Sequence, residues 1–305
     1  MNIIRNIKQI HKNRACVLTI GNFDGVHLGH NKIIKKVQEI ATVKNLDANI
    51  LTFQPHPVAI FKPQNFKNFL ITTLAQKLKI FKKYSLDNVF IISFNHDFAD
   101  LSADDFVEKI LVKKLQIKYL VIGYDFIFGK NREGNFDLLK KKSQEFDFEI
   151  FNIDALEKDG KAYSSSLIRL LIEEGKVAKA AEILGRNFSV EACVVKGKKL
   201  ANQIGFPTAN IIAKTHIVKP KFGVYKSEIF IPFLNKKFKA ITNFGIKPTI
   251  AHNSKPMFET HIFDFNQDIY GKKIIVELLD FMREERKFSS VEELKIQIVK
   301  DISAV

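Results

Sequence analysis

The first 185 residues alternate short apolar runs with amphipathic stretches, and this alternation constrains the fold more than any other feature of the chain. Four runs have the length and composition of buried strands: residues 15–21, 49–53, 88–94 and 119–123. Between the first two runs, four apolar residues recur at helical spacing: Ile33, Val37, Ile40 and Ala41. Strands that alternate with helices build a parallel sheet with helices on its faces. Residues 1–185 are therefore predicted to form an α/β domain.

A different pattern occupies residues 186–305. Turn residues separate five β-rich runs at spacings typical of an antiparallel barrel or sandwich: residues 189–195, 223–231, 237–244, 258–265 and 272–281. A serine-capped helix is predicted over residues 289–302, and its apolar stripe should pack on the barrel: Val291, Leu294 and Ile298. Before the boundary, a helical pair breaks at Gly175 and ends at Gly185. The sequence predicts two domains, 1–185 and 186–305, as the length of the chain favours.

The formal charge of +15 raises the hypothesis of nucleic-acid binding. Only seven of the 48 basic residues are arginine, and the lysines are spread along the whole chain. Base recognition favours arginine and localised basic patches, so we interpret the dispersed lysines as a solvated surface and expect no nucleic-acid partner. Nucleic-acid binding remains the alternative from another functional class, and it predicts binding that weakens steeply as salt rises.

Other features concern location. No apolar run reaches the ~18 residues of a membrane helix, and the N-terminus lacks the continuous apolar stretch of a secretory signal, so we expect neither a membrane partner nor export. Cys16 and Cys193 lie far apart in strand-like runs and are predicted to be buried free thiols. These features predict a cytoplasmic protein.

Residues 21–30, GNFDGVHLGH, lie where the first predicted strand turns into the first helix. Ligands usually bind at this edge of a parallel sheet, and helix N-termini offer unpaired N–H groups to phosphate. His27 and His30, three residues apart, project from one helix face. The loop contains neither the dinucleotide-binding glycine pattern nor a P-loop. It predicts a phosphate site, although two such histidines alone could also be a metal pair or surface residues.

This string resembles the GxFDGxHxGH signature of nucleotidylyltransferases, and its surroundings resemble the N-terminal domain of the bacterial bifunctional riboflavin kinase/FAD synthetase family. The resemblance implies a Rossmann-like domain in which His27 and His30 donate hydrogen bonds to ATP phosphates while the α-phosphate is attacked and pyrophosphate leaves. It further implies that the rest of the loop shapes the ATP site, in particular Gly21, Phe23, Asp24 and Gly29.

Three further segments resemble the same family. Residues 52–57, TFQPHP, are similar to its TFxPHP element, which implies flavin-side positions at Pro55, His56 and Pro57; alone, the segment indicates only a turn. Residues 123–134 are similar to GxDFxFGxxRxG, which implies a flavin-side Asp125. Ile127 stands where the family commonly has arginine, and Lys130 or Arg132 could replace it. Residues 164–169, SSSLIR, are similar to SSTxIR, which implies triphosphate contacts, although such serines alone usually cap a helix: Ser165, Ser166 and Arg169.

The second domain contains residues 205–210, GFPTAN, in which a Thr hydroxyl and an Asn carbonyl two residues apart can converge on a hard cation. The segment resembles the riboflavin kinase motif. This resemblance implies that Thr208 and Asn210 hold Mg²⁺ on ATP, and that Pro207 and the Gly197 loop contact the nucleotide. Within that loop, Ala201 and Asn202 replace the usual Gly-Arg pair, which removes a flexible position and a charge.

Further similarity covers residues 219–225, 243–249 and 258–265. The family's catalytic glutamate corresponds to Glu259, so the resemblance implies a general base there; alone, Glu259 could also be a solvent-facing strand residue. Asn243 and Arg283 are candidates for flavin or nucleotide contacts. The predicted enzyme converts riboflavin to FMN and FMN to FAD with ATP and Mg²⁺. A chain with only one activity is the alternative, and weak self-association is left open.

Overall fold

The computed structural model describes residues 1–5, 14–196, 205–246 and 256–305. The chain divides into two compact units, Met1–Ser165 and Ser166–Val305. This division precedes the predicted boundary between residues 185 and 186, which stays a prediction.

The first unit is built on a six-stranded sheet whose strands all pair in parallel. Its strands are β1 Asn2–Ile4, β2 Cys16–Ile20, β3 Asp47–Gln54, β4 Asn88–Ser93, β5 Ile117–Gly123 and β6 Glu149–Ile153. The order across the sheet is β1-β4-β3-β2-β5-β6. A small hairpin follows, formed by β7 Glu157–Lys158 and β8 Lys161–Ala162. The predicted α/β class is confirmed.

Helices of this unit connect the strands. They are α1 Leu28–Lys44, α2 Val58–Phe61, α3 Leu74–Phe81, α4 His96–Ala99, α5 Ala103–Asp105 and α6 Phe136–Glu145. A π-helical segment, Phe106–Val112, continues α5, and the Ser102 hydroxyl caps α5 by accepting from the Asp105 N–H at 3.1 Å. Successive residues of β2 enter two separate hydrophobic clusters, with Leu18 in one and Val17 in the other. The sheet is therefore buried on both faces, which explains its nearly continuous apolar strands.

Two helices, α7 Ser165–Glu173 and α8 Val177–Leu184, precede the barrel. As predicted, Gly175 lies between them, and Gly185 ends α8 in the left-handed conformation at φ 70°. The barrel is closed by β9 Phe188–Val195, β10 Thr208–Ile211, β11 Gly223–Ile231, β12 Lys236–Gly245, β13 Met257–Ile262 and β14 Lys273–Arg283, in the order β10-β13-β12-β11-β14-β9. The final helix, α9 Val291–Ser303, begins after its cap Ser290. The predicted antiparallel barrel is confirmed.

Two burial predictions were wrong. Cys16 is buried, but Cys193 is exposed because β9 turns that position toward solvent while its neighbour Val194 is buried. Val291 is 51% exposed because it lies in the first turn of α9, whereas Leu294 and Ile298 face a cavity beside the barrel. In the described ranges, no helix combines the length and apolar character needed to cross a membrane.

Candidate active sites

The N-terminal motifs meet at one edge of the parallel sheet. The signature loop follows β2, the segment with Pro55, His56 and Pro57 follows β3, and Asp125 follows β5. These strands are adjacent in the order β3-β2-β5, so their carboxyl ends lie side by side. From β2 the chain continues to β3 and β4 on one side, and β5 and β6 lie on the other side. This edge is therefore the topological switch point, where α/β proteins bind ligands.

The signature loop has an unusual backbone. Phe23, Gly25 and Val26 all have positive φ, at 47°, 82° and 41°. Non-glycine residues rarely adopt this conformation, and strain of this kind concentrates at ligand sites. Hydrogen bonds to a neighbouring segment hold this conformation. The buried Asp24 carboxylate accepts from the Ile71 N–H at 3.0 Å and from the Thr72 N–H at 3.2 Å. Asp24 therefore shapes the loop through its carboxylate.

His27 and His30 form a reciprocal cap at the start of α1. The His30 N–H donates to His27 Nδ1 at 3.4 Å, and the His27 N–H donates to His30 Nδ1 at 3.2 Å. The rings stack with their centroids 3.6 Å apart, and the Phe23 ring meets His30 edge-on at 5.1 Å. Because each Nδ1 accepts a hydrogen bond, we assign the proton of each neutral imidazole to Nε2. Both rings then carry an Nε2–H donor, which is the polarity that phosphate oxygens require.

Two further predicted residues lie beside this pair. A Cβ added to Gly29 would come within 3.1 Å of the His27 ring, so glycine lets the imidazole lie against the helix backbone. The Ser165 hydroxyl donates to the Asp24 carbonyl at 2.9 Å, which joins the serine motif to the loop. Ser166 and Arg169 belong to the second compact unit, where Arg169 Nη1 donates to the Ser166 hydroxyl at 3.4 Å. Their role in binding triphosphate stays a prediction.

The flavin-side candidates occupy the loops after β3 and β5. His56 Nδ1 accepts from the Val58 N–H at 3.2 Å, and its ring packs against Phe69 at 5.0 Å. Asp125 is exposed in the turn after β5, and Ile127 is 44% exposed two residues later. An apolar side chain therefore stands exposed at the position where the family commonly has arginine.

Lys77 is a residue of this region that the sequence reasoning missed. Its ammonium donates to the Asn22 carbonyl, which also accepts from the Thr52 hydroxyl at 3.3 Å. Lys77 is 6% exposed; burial lowers its pKa to about 8, and the charge of Asp24 offsets part of that effect. A signal existed, because Lys77 falls on the same face of α3 as its apolar residues: Leu74, Leu78 and Phe81.

In the second unit, strand register gathers the predicted residues. Asn210 on β10 pairs with Glu259 on β13, and Glu259 pairs with Asn243 on β12. The same row continues through Val224 on β11 to Arg283 on β14. Residues directly opposite one another in a sheet project from the same face. The register thus places four polar candidates from four strands on one face.

These residues line a cavity of about 240 Å³. Thr208 and His261, an adjacent cross-strand pair, line it too, and Leu294 and Ile298 contribute from α9. His261 Nδ1 lies 2.9 Å from the Pro207 carbonyl, which ties β13 to the predicted nucleotide segment. The alternate residues of β13 are buried on the opposite face: Phe258, Thr260 and Ile262. The cavity therefore combines polar strand residues with apolar helix residues.

Arg283 is fixed by a carboxylate that the sequence reasoning missed. Its Nε lies 3.0 Å from both Asp301 oxygens, and its Nη2 lies 2.6 Å from Oδ2. Asp301 also accepts from Gln297, whose carbonyl accepts from Arg286. No motif links β14 with α9, so the sequence contains no signal for this pairing. The network anchors α9 beside the cavity.

Several predicted positions lie outside the described residues. These are Gly197 with its loop, including Ala201 and Asn202, and part of the segment 243–249.

Comparison with known proteins assigns both halves. The family model for FAD synthetase matches residues 9–167, and the model for riboflavin kinase matches residues 184–305. The bifunctional riboflavin kinase/FMN adenylyltransferase of Buchnera aphidicola subsp. Schizaphis graminum is 40% identical over 99% of this chain and 96% of its own length. The Escherichia coli K12 protein of the same name is 37% identical over 99% of this chain and 96% of its own length.

A solved structure agrees in fold. The crystal structure titled macrolide-efflux protein from Streptococcus pneumoniae has a TM-score of 0.89 and 30% identity, and the match covers 99% of this chain and 97% of that one. The name of that protein refers to efflux, whereas both family models that match this chain describe flavin enzymes. The chain belongs to the bifunctional riboflavin kinase/FMN adenylyltransferase family.

Proposed function

We propose a residue-level assignment for the two reactions of this family. The protein phosphorylates riboflavin to FMN with ATP in its C-terminal part, and adenylylates FMN to FAD with release of pyrophosphate in its N-terminal part. The histidine pair lies in the first compact unit, and the Glu259 row lies in the second. That separation is the observation that carries the assignment.

For adenylylation, the reciprocal cap of His27 and His30 supplies the chemistry. A phosphate oxygen of FMN attacks the α-phosphorus of ATP, and pyrophosphate leaves. Negative charge shifts toward the leaving oxygens, so donors fixed beforehand stabilise the transition state more than the ground state. The Nε2–H groups of the two rings are such donors, because their Nδ1 atoms are held by backbone N–H groups. The positive end of α1 adds to their effect.

For phosphorylation, Glu259 is the general base. The primary hydroxyl of the ribityl chain bonds to the γ-phosphorus of ATP, its proton passes to the Glu259 carboxylate, and ADP leaves. The half-buried position of Glu259, between Asn210 and Asn243, supports this role. Arg283 lines the same cavity, where Asp301 holds its guanidinium, and it remains a candidate contact for the flavin or the nucleotide. Apolar Leu294 and Ile298 suit the flavin ring.

The residues of this cavity fit a magnesium ion. Asn210 Oδ1 is buried and accepts no hydrogen bond from the described residues, which is costly unless a ligand uses it. Thr208 provides a second oxygen on the same strand face. Mg²⁺ prefers oxygen ligands and usually binds through few protein groups together with substrate phosphates. When bound, it would neutralise charge on the ATP phosphates, while Asn210 and Thr208 hold it.

One incubation tests the assignment of substrates. The purified protein is incubated with riboflavin, ATP and Mg²⁺, and the flavins are separated by chromatography. We expect FMN to appear first and FAD to follow. Accumulation of FMN without FAD would support the alternative of a kinase alone, and conversion only of supplied FMN would support an adenylyltransferase alone. Cytoplasmic location and self-association stay predictions.

A further inference from the structure

Lys77 poses an energetic problem that its surroundings do not remove. It is 6% exposed, and the burial of its ammonium lowers its pKa to about 8 from an ordinary value of 10.5. Below pH 8 the side chain is charged in both the folded and the unfolded protein, so the desolvation cost is present at neutral pH. The cost disappears only as pH rises from about 8 toward 10.5. A charged group that is buried at such a cost suits a role other than stability.

The contacts of Lys77 point to that role. Its Nζ donates to the Asn22 carbonyl, and the Thr52 hydroxyl donates to the same oxygen at 3.3 Å. Asn22 immediately precedes Phe23, where the backbone enters its left-handed conformation. A carbonyl has two lone pairs, so both donors can hold it at once.

The segment that carries Lys77 contacts the loop at further points. The Asp24 carboxylate accepts from the Ile71 and Thr72 N–H groups, and the Thr72 hydroxyl accepts from the Gly25 N–H at 3.1 Å. Thr73 and Gln76 then form the capping box of α3, which fixes the start of this helix. Three residues of the loop, Asn22, Asp24 and Gly25, are thus attached to the segment of residues 71–77.

We propose that Lys77 is a positioning residue for the adenylyltransferase reaction, which fixes the Asn22 carbonyl and thereby orients the loop that carries His27 and His30. This inference rests on the proposed adenylyltransferase site. Lys77 acts through the loop backbone and does not contact the reacting atoms. Displacement of a catalytic group by about 1 Å can reduce a rate about 100-fold, so loss of this contact affects turnover.

The test compares Lys77→Met, Lys77→Gln and the control Lys79→Met, which changes an exposed lysine of the same helix. Adenylyltransferase kcat and KM are measured with FMN and ATP, the kinase rate of the same protein is the internal reference, and denaturant unfolding is followed at pH 7. We expect Lys77→Met to reduce the adenylyltransferase kcat about 10- to 100-fold, to leave kinase activity intact and not to lower the unfolding midpoint. Lys77→Gln, which keeps a donor, should recover part of the rate, and Lys79→Met should match the wild type.

Two results would overturn the inference. An unchanged kcat in Lys77→Met would show that the loop does not need this contact. A lowered unfolding midpoint together with loss of both activities would show a purely structural role. If the wild-type protein itself formed no FAD from FMN and ATP, the proposed function would fail instead, so the two failures are distinguishable.

Discussion

Replacement of Asp301 by asparagine tests whether α9 is held beside the kinase cavity by the Arg283 contact. The substitution preserves shape but removes the charge that faces three Arg283 contacts of 2.6 to 3.0 Å. Removal of one partner from a fully buried ion pair costs about 3–5 kcal/mol. The Asp301 side chain is 7% exposed, but that of Arg283 is 23% exposed, so solvent screens part of the interaction. We therefore expect the free energy of unfolding to fall by about 2–3 kcal/mol. For a unit of this size, that loss lowers the melting temperature by about 5–10 °C.

The assay follows both activities of the full-length protein as temperature rises. Kinase activity of Asp301→Asn should be lost at the lower temperature, and its KM for riboflavin should rise because Leu294 and Ile298 lose their anchor. Adenylyltransferase activity should keep the wild-type profile. Glu284→Gln is the matched control, since it breaks the exposed Lys221–Glu284 pair, which contributes little. An Asp301→Asn protein with unchanged kinase melting and unchanged KM would refute the reasoning.

Three other predictions concern single positions. Gly29→Ala should reduce adenylyltransferase turnover because the new methyl lies 3.1 Å from the His27 ring, and it should not lower stability because alanine favours the helix. Kinetics and denaturant unfolding check the two effects, and an unchanged rate would contradict the steric argument. Asn210→Leu should raise the Mg²⁺ concentration for half-maximal kinase activity at least about tenfold without loss of stability, and an unshifted magnesium titration would exclude Asn210 as a ligand. Burial raises the pKa of Cys16 to about 12, so near pH 8 a thiol reagent should label one cysteine quickly, and Cys193→Ser should abolish this labelling; rapid labelling of Cys16 in the variant would contradict its burial.

The sheet strands could be predicted because burial on both faces leaves apolar runs in the sequence. β2, β3, β4 and β5 have this property. β6 lies at the edge of the sheet and contains only exposed and half-buried residues, so its run is weak. β10 has only four residues and was predicted as a cation-binding motif rather than as a strand.

Contacts within the sites were predictable only where one motif contains both partners. His27 and His30 are three residues apart, so their pairing follows from helix geometry. The row from Asn210 to Arg283 depends on strand register, which a single sequence does not determine. Asp301 and Lys77 are separated in sequence from the groups that they contact. Asp301 looks like an ordinary surface charge until the fold buries it, whereas Lys77 is distinguished only by its position on the apolar face of α3.

Separate measurement of the two half-reactions in two variants tests the assignment of independent sites most directly. Glu259→Ala should reduce conversion of riboflavin to FMN by about 10²- to 10⁴-fold and leave conversion of FMN to FAD intact. His30→Ala should have the reverse effect, with circular dichroism confirming that both proteins are folded. Loss of both activities from either single change in a folded protein would contradict the account.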